Sequence, residues 1–232
     1  MKFTQNNAQL IAKNGCETLL IEPWGKNSLR VRATQNPTFT GDDHALSHTP
    51  GSSADIKITD ELSTITNGDI RAEVNFAGVL SLFRKDKLIL REYYRSYGGT
   101  ISKESRCLKI VGREMKGLAG NDWRMTVRFE SNDGEKLFGM GQYQQPYLDL
   151  KGCTLELAQR NSQVTIPYVI SSHGYGFFWN TPSVGSVTFG KNMTEWISRD
   201  SEEVDYWVTV GENPAELVEN FTEQTGRTPD IS

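Results

Sequence analysis

A mostly β fold, an antiparallel β-sandwich followed by one C-terminal helix, is what this chain of 232 residues predicts. Three observations carry that prediction. Short β-branched and aromatic runs recur along the chain, separated by Gly, Asn, Asp and Pro, as in stacked antiparallel sheets. Trp123, Met125, Val127 and Phe129 alternate with Arg124, Thr126 and Arg128, the period of two of a strand with one wet face. Near the end a single segment switches to helical spacing and carries start and stop signals.

Taken in order, Thr18–Ile21 and Leu29–Arg32 flank Pro23-Trp24-Gly25-Lys26-Asn27 and predict a hairpin with a long connection. Ser63–Thr66 and Ile70–Val74 are split by Asn67-Gly68, which predicts a type I′ turn. Val79–Phe83 and Leu88–Leu90 pair across the charged turn Arg84-Lys85-Asp86-Lys87. Further strands are expected at Val164–Ile170, Gly174–Trp179, Ser186–Phe189, Glu195–Ser198 and Val204–Val210. Two loops are expected: Gln35–Ser53, rich in Thr, Pro, Gly, Asp and His, and Gly112–Asn121. The helix starts at Asn213 as N-cap with Pro214 in the first turn, and Glu216 completes a capping box. Leu217, Val218 and Phe221 form its apolar stripe, and Gly226 with Pro229 stops it. The chain divides into a sandwich domain, residues 1–211, and a helix with linker, residues 212–232, whose end has the look of a domain boundary.

Composition excludes several classes. A net charge of −4 and a pI near 5.5 give no electrostatic case for nucleic acid or an anionic membrane. Nothing approaches the roughly 18 apolar residues of a membrane span, and no apolar run follows the start, so a cytoplasmic location is expected. The cysteines Cys16, Cys107 and Cys153 are odd in number and lack metal-type spacing, so they read as structural. His44 and His48 beside Asp42 and Asp43 lie between Gly41 and Pro50, which makes them loop residues, and no metal or cofactor is expected. His173, between Ser172 and Gly174, reads as a turn residue, not a general acid.

The most informative stretch is Phe138-Gly139-Met140-Gly141-Gln142, where glycines interrupt a strand pattern. Behind it come Gln159-Arg160-Asn161, Ile166-Pro167-Tyr168, Ser171 through Asn180, and Asp205-Tyr206-Trp207-Val208. This ordered series resembles the N-terminal, galactose mutarotase-like β-sandwich of glycoside hydrolase family 31, the α-glucosidases and α-xylosidases. The segment Asn213–Pro229 resembles that family's link into a catalytic (β/α)8 barrel. The resemblance implies that the two catalytic aspartates lie on a barrel outside these residues, so no catalytic residue is assigned and the chain by itself is expected to be inactive. It further implies an oligosaccharide or α-glycoside substrate, the parent's barrel as partner, and assembly of the parent into a homo-oligomer through its aromatic late strands.

In relatives a sandwich loop reaches the sugar subsites, and the matching positions here are Arg160 and Asn161, with Gln142 at a second matching stretch. Many relatives carry Asp where this chain has Asn161, so the expected contact is an amide and not a carboxylate. Read without the resemblance, Asn161 and Arg160 are a solvated turn. Trp123, Trp179, Trp196 and Trp207 read as core, Trp179 being the one expected to meet another surface because Gly174 and Gly176 flank it. The rival expectation is a free-standing carbohydrate-binding module with exposed aromatic rings as its platform.

Overall fold

A computed structural model describes residues 1–47, 53–96 and 109–227. Along the first part of the chain run β1 (Lys2–Asn6), β2 (Gln9–Asn14), β3 (Glu17–Pro23), β4 (Ser28–Thr34), β5 (Asp55–Ile58), β6 (Leu62–Asn67), β7 (Ile70–Asn75), β8 (Leu80–Arg84) and β9 (Lys87–Arg91). They are followed by β10 (Arg113–Gly117), β11 (Trp123–Glu130), β12 (Leu137–Gln142), β13 (Thr154–Leu157), β14 (Val164–Ser171), β15 (Tyr175–Trp179), β16 (Gly185–Phe189), β17 (Met193–Ser201), β18 (Val204–Val210) and α1 (Pro214–Thr225).

Eight strands form one antiparallel sheet in the order β1-β2-β3-β4-β18-β15-β14-β12. Facing it are two five-stranded sheets, β10-β11-β17-β16-β13 and β5-β6-β7-β8-β9, joined where Glu92 bridges Phe129. Alternation places one residue of each strand inside. Across the large sheet, Leu10, Ile21, Val31, Tyr206 and Trp179 lie side by side in register, all buried. Opposite them stand the rows Ile65-Ala72-Leu82-Leu90 and Val127-Trp196-Val187-Leu155. Phe177 stacks on both Trp196 and Tyr206, with ring centroids 4.9 and 5.0 Å apart, and so joins the layers. The predicted sandwich with one C-terminal helix is therefore present.

Several local expectations are corrected. The β6–β7 turn is centred on Gly68-Asp69, with positive φ at Gly68 only, the pattern of a type II′ and not a type I′ turn. Asn67 is withheld from the turn because its Nδ2 donates to the carbonyls of Gly25 and Ser28, both at 2.8 Å. The expected loop at 112–121 contains β10, which pairs with β11 from Arg113 to Gly117. Strands β1, β2, β5 and β13 were not expected; β5 (Asp55-Ile56-Lys57-Ile58) and β13 (Thr154-Leu155-Glu156-Leu157) do alternate, but over only four residues each. Thr126, on the supposedly wet face of β11, is buried.

The helix begins as expected: Asn213 Oδ1 accepts from the Glu216 amide at 3.1 Å. The reciprocal bond falls one residue early, since Glu216 accepts from the Glu212 amide at 2.6 Å. Val218 is exposed; the buried side of α1 is Leu217, Asn220 and Gln224, with Phe221 beside them. Phe221 stacks on Tyr168 at 4.0 Å, and the two join Trp24, Leu46, Phe178 and Trp207 in a second apolar cluster on the outer face of the large sheet.

That outer face is organised by Arg30, which is fully buried. Its Nε and Nη2 donate to the two carboxylate oxygens of Asp205 at 3.1 and 2.7 Å, and Nη1 donates to Asp43 at 2.6 Å. Nη2 also reaches the Asp42 carbonyl at 2.8 Å, and the guanidinium lies over the Trp24 ring at 4.5 Å. Burial alone would lower its pKa; hydrogen bonds and charge from Asp205 and Asp43 hold it well above the ordinary guanidinium value. Asn180 completes the knot, donating to Asp205 at 2.6 Å and to the Asp43 carbonyl at 3.0 Å. The polar segment after β4 is thus strapped to the sheet through residue 47, and Leu46 plugs into the second cluster. His44 belongs to this strap, while His48 and Cys107 lie outside the described residues. No group of three metal-type side chains forms among the described residues.

Truncating Asp205 leaves Arg30 buried with half its bonds. Asp205→Ala is expected to cost about 3–5 kcal/mol in urea unfolding, the range for breaking a buried pair from one side. Glu203, at the edge of the same face, keeps one oxygen without a partner while the other accepts from the Thr40 amide at 3.0 Å. Burial pushes its carboxyl up, only partly offset by that amide and by Arg32. The increment of stability this carboxyl supplies is therefore present at low pH and lost as pH rises through its folded pKa. Glu203→Gln should raise the urea midpoint at neutral pH, and the gain should shrink towards pH ~4, the ordinary carboxylate range.

Candidate functional site

The expected site residues gather at one end of the large sheet. In β12 the backbone takes positive φ at three successive residues, Gly139, Met140 and Gly141. The ladder slips there: Gly139 faces Val169 and Gly141 faces Thr165, so Met140 alone opposes Ile166-Pro167-Tyr168. Pro167 has no N–H to give a regular ladder, which suits it to this irregularity. A Cβ at Gly141 would sit 2.2 Å from the Val164 carbonyl oxygen, so the close approach that the glycines permit is to β14 itself. Met140, in between, is fully buried in the core.

Beyond the slip, Gln142 pairs with Val164 and its side chain is exposed. Between β13 and β14 the chain makes a tight excursion in which Arg160 bridges Gln163 and Ser162 takes positive φ. Asn161 and Ser162 form its tip. The base of the tip is heavily braced. The Gln159 amide donates to the Thr165 carbonyl at 2.8 Å and accepts from the Thr165 amide at 3.0 Å, replacing a rung of β-ladder. The Thr165 hydroxyl donates to the Ala158 carbonyl at 2.8 Å. The Tyr143 hydroxyl lies 2.9 Å from both the Glu156 carbonyl and the Thr165 hydroxyl. Burial raises the Tyr143 pKa above the ordinary phenol value, so this hydroxyl stays protonated.

Arg160 is engaged within the chain: its Nε and Nη2 both donate to one oxygen of Glu156, at 2.8 and 2.6 Å. Arg199 approaches the other oxygen at 3.7 Å. Asn161 is exposed, and its side chain makes no hydrogen bond among the described residues. Of the three expected contact residues, Asn161 and Gln142 present free amides and Arg160 does not. Glu156, Tyr143 and Thr165 were not singled out for this site, because bonds linking positions 13 and 22 residues apart leave no trace in local sequence.

Next to the braced tip a groove of about 590 Å³ opens at the mouth of the sandwich, bordered by His44, Gln159, Thr165, Pro167, Asn180 and Val184. Its amides are already spent, Gln159 on Thr165 and Asn180 on Asp205 and the strap. Trp179 is a core residue, 1% exposed, and stacks on Trp196. The space beside its neighbouring glycines is filled from within, by the Tyr168 hydroxyl at Gly176 and by Arg84 at Gly174. Trp179 borders the groove, but the glycines beside it serve packing within the chain and not the approach of another backbone. Trp196 and Trp207 are equally buried, Phe177, Phe178 and Tyr206 likewise, so these late-strand rings offer neither a stacking platform nor an interface. His173 occupies the β14–β15 turn, where its amide donates to the Ser171 hydroxyl.

No family model matches the chain. Individual relatives do. It is 47% identical over 222 residues, 92% of its length, to an uncharacterized family 31 glucosidase, ORF2, of Pseudescherichia vulneris, and covers 42% of that protein. It is 28% identical over 147 residues, 58% of its length, to an α-xylosidase of Saccharolobus solfataricus, and covers 20% of that enzyme. Among solved structures, a family 31 α-xylosidase from a soil metagenome, complexed with xylose, superposes over the whole chain. The TM-score is 0.93 at 40% identity, and 36% of that structure is covered. A xylosidase from Aspergillus niger shares the fold, with a TM-score of 0.79 at 23% identity. Over nearly its whole length the chain is thus similar to part of the family 31 glycosidases, consistent with an N-terminal β-sandwich domain of such an enzyme. It spans less than half the length of the curated relatives it matches.

Gly141→Ala should lower stability by more than about 1 kcal/mol, since it combines positive φ with a backbone collision. Gly152 has the same φ of 90° with nothing within 4 Å, so Gly152→Ala isolates the backbone penalty. A larger drop in melting temperature for Gly141→Ala than for Gly152→Ala is the expected outcome.

Proposed function

We propose that this chain is the non-catalytic N-terminal domain of a retaining α-glycosidase that removes terminal α-linked glucose or xylose, and that its Asn161 tip forms part of the substrate pocket. The observation that carries this reading is the tip itself: a free amide on a turn whose base is locked by the Gln159, Thr165 and Tyr143 bonds. Amides orient sugar hydroxyls well, because each offers both a donor and an acceptor. Support for the substrate class comes from the family relationship and from the xylose-complexed structure that shares this fold at 40% identity. Residues 212–232 then lead towards the parent's catalytic barrel, which supplies the two carboxyl groups that retaining hydrolysis needs, about 5–5.5 Å apart.

The proposal extends to a cytoplasmic, homo-oligomeric parent; among the described residues no helix is long and apolar enough to cross a membrane. A stacking platform, as a free-standing binding module would use, is not formed by the buried Trp179, Trp196 and Trp207.

Two measurements test the reading. The 232-residue chain is expected to release no nitrophenol from para-nitrophenyl α-xyloside or α-glucoside, and turnover by the pure chain would overturn it. In the longer glycosidase, Asn161→Ala should raise KM about three- to tenfold, the worth of one hydrogen bond, with kcat changed less. An unchanged KM would remove Asn161 from the pocket.

A further inference from the structure

The Tyr143 hydroxyl stands where the two limbs of the Asn161 turn come together. One limb is the end of β13, whose Glu156 carbonyl lies 2.9 Å from it, and the other is the start of β14, whose Thr165 hydroxyl also lies 2.9 Å away. Thr165 passes the link on to the Ala158 carbonyl at 2.8 Å, so two hydroxyl protons are shared among three contacts. Tyr143 itself is the first residue after a third strand, β12. Its ring packs against the main core and is only partly exposed, which leaves its hydroxyl little freedom to move.

We propose that Tyr143 is a positioning residue for substrate binding: its hydroxyl fixes the angle between the two limbs and so the place of the Asn161 amide in the pocket. This rests on the pocket reading given above. The Gly139-Met140-Gly141 irregularity then has a purpose beyond packing. It lets β12 follow β14 across Pro167 and still deliver Gln142 opposite Val164 and Tyr143 under the turn. The extra residues sit in β14, and such a bulge shifts the register of the strand it faces. Arg160, held by Glu156 at the foot of the same turn, braces the outer side. Among the described residues no hydrogen bond links Tyr143 to Asn161, so Tyr143 acts through the turn.

Tyr143→Phe keeps the ring and removes only the hydroxyl, so folding is retained. In the longer glycosidase it should raise KM for para-nitrophenyl α-xyloside about three- to tenfold, leaving kcat within about twofold, as loss of one hydrogen bond allows. Because the hydroxyl acts through Asn161, Tyr143→Phe should add nothing further in an Asn161→Ala background. Thr165→Ser, which retains the hydroxyl, should bind substrate normally, whereas Thr165→Val should reproduce the Tyr143→Phe defect. Fully additive effects of Tyr143→Phe and Asn161→Ala, or an unchanged KM in Tyr143→Phe, would overturn the inference. Amide exchange on the 232-residue chain separates its failure from that of the pocket reading. Tyr143→Phe should speed exchange of the Gln163 and Thr165 amides even where Asn161→Ala leaves KM untouched, and unchanged exchange overturns the clamp itself.

Discussion

A guanidinium sealed from water sets the terms for one whole side of this domain. Arg30 cannot shed its proton, so its place on the outer face of the sheet is tolerable only with anions and carbonyls around it. Asp205 comes from the neighbouring strand, Asp43 from the segment after β4, and Asn180 ties the two acids together. The consequence is geometric. A polar stretch that hydrophobicity would leave in solvent is bound across the sheet, and it brings His44 and Ala45 to one wall of the groove at the sandwich mouth. The same strap reaches α1, where the Ser47 amide donates to the Gln224 carbonyl at 2.5 Å. Buried pairs of this kind are weak as a net source of stability, but they fix which of several compact arrangements forms.

What the sequence disclosed follows from the range of the forces involved. Hairpins were legible where alternation and turn chemistry agree, as at β3–β4 and β8–β9, and the helix start was legible because Asn213, Pro214 and Glu216 act within one turn. Strand β1 was not: Lys2, Thr4, Gln5 and Asn6 form a polar edge with no buried face to impose a period. The turn at Gly68 was placed one residue off because Asn67 serves a long-range bond to Gly25 and Ser28, which local propensity does not register. The reading of the second loop failed because Gly112 lies just before β10 and Gly117 is its last residue, still paired with Trp123 of β11.

The candidate site shows the same division. Motif order located the Gln159-Arg160-Asn161 turn, but the chemistry that makes it rigid was invisible. Tyr143, Glu156 and Thr165 are separated in sequence and converge only through the slip in β12. The glycines beside Trp179 suggested an approach from outside; the space they leave is taken by Tyr168 and Arg84 of the same chain. A missing Cβ tells that something comes near without telling whether it belongs to a partner or to the next strand.

These constraints also decide what kind of contribution the domain can make. Around the groove Gln159 and Asn180 are saturated by internal bonds, and Arg160 is held by Glu156. A sugar ring needs several donors and acceptors facing it, and beside the groove the free amides are those of Asn161 and, on the adjoining strand, Gln142. One or two hydrogen bonds cannot hold a sugar against the entropy of binding, but on a turn with no freedom left they cost little to form. Under the proposed reading, orientation of a substrate already gripped elsewhere is the role such a wall would fill, and rigidity of the tip would then matter more than the number of polar groups it carries.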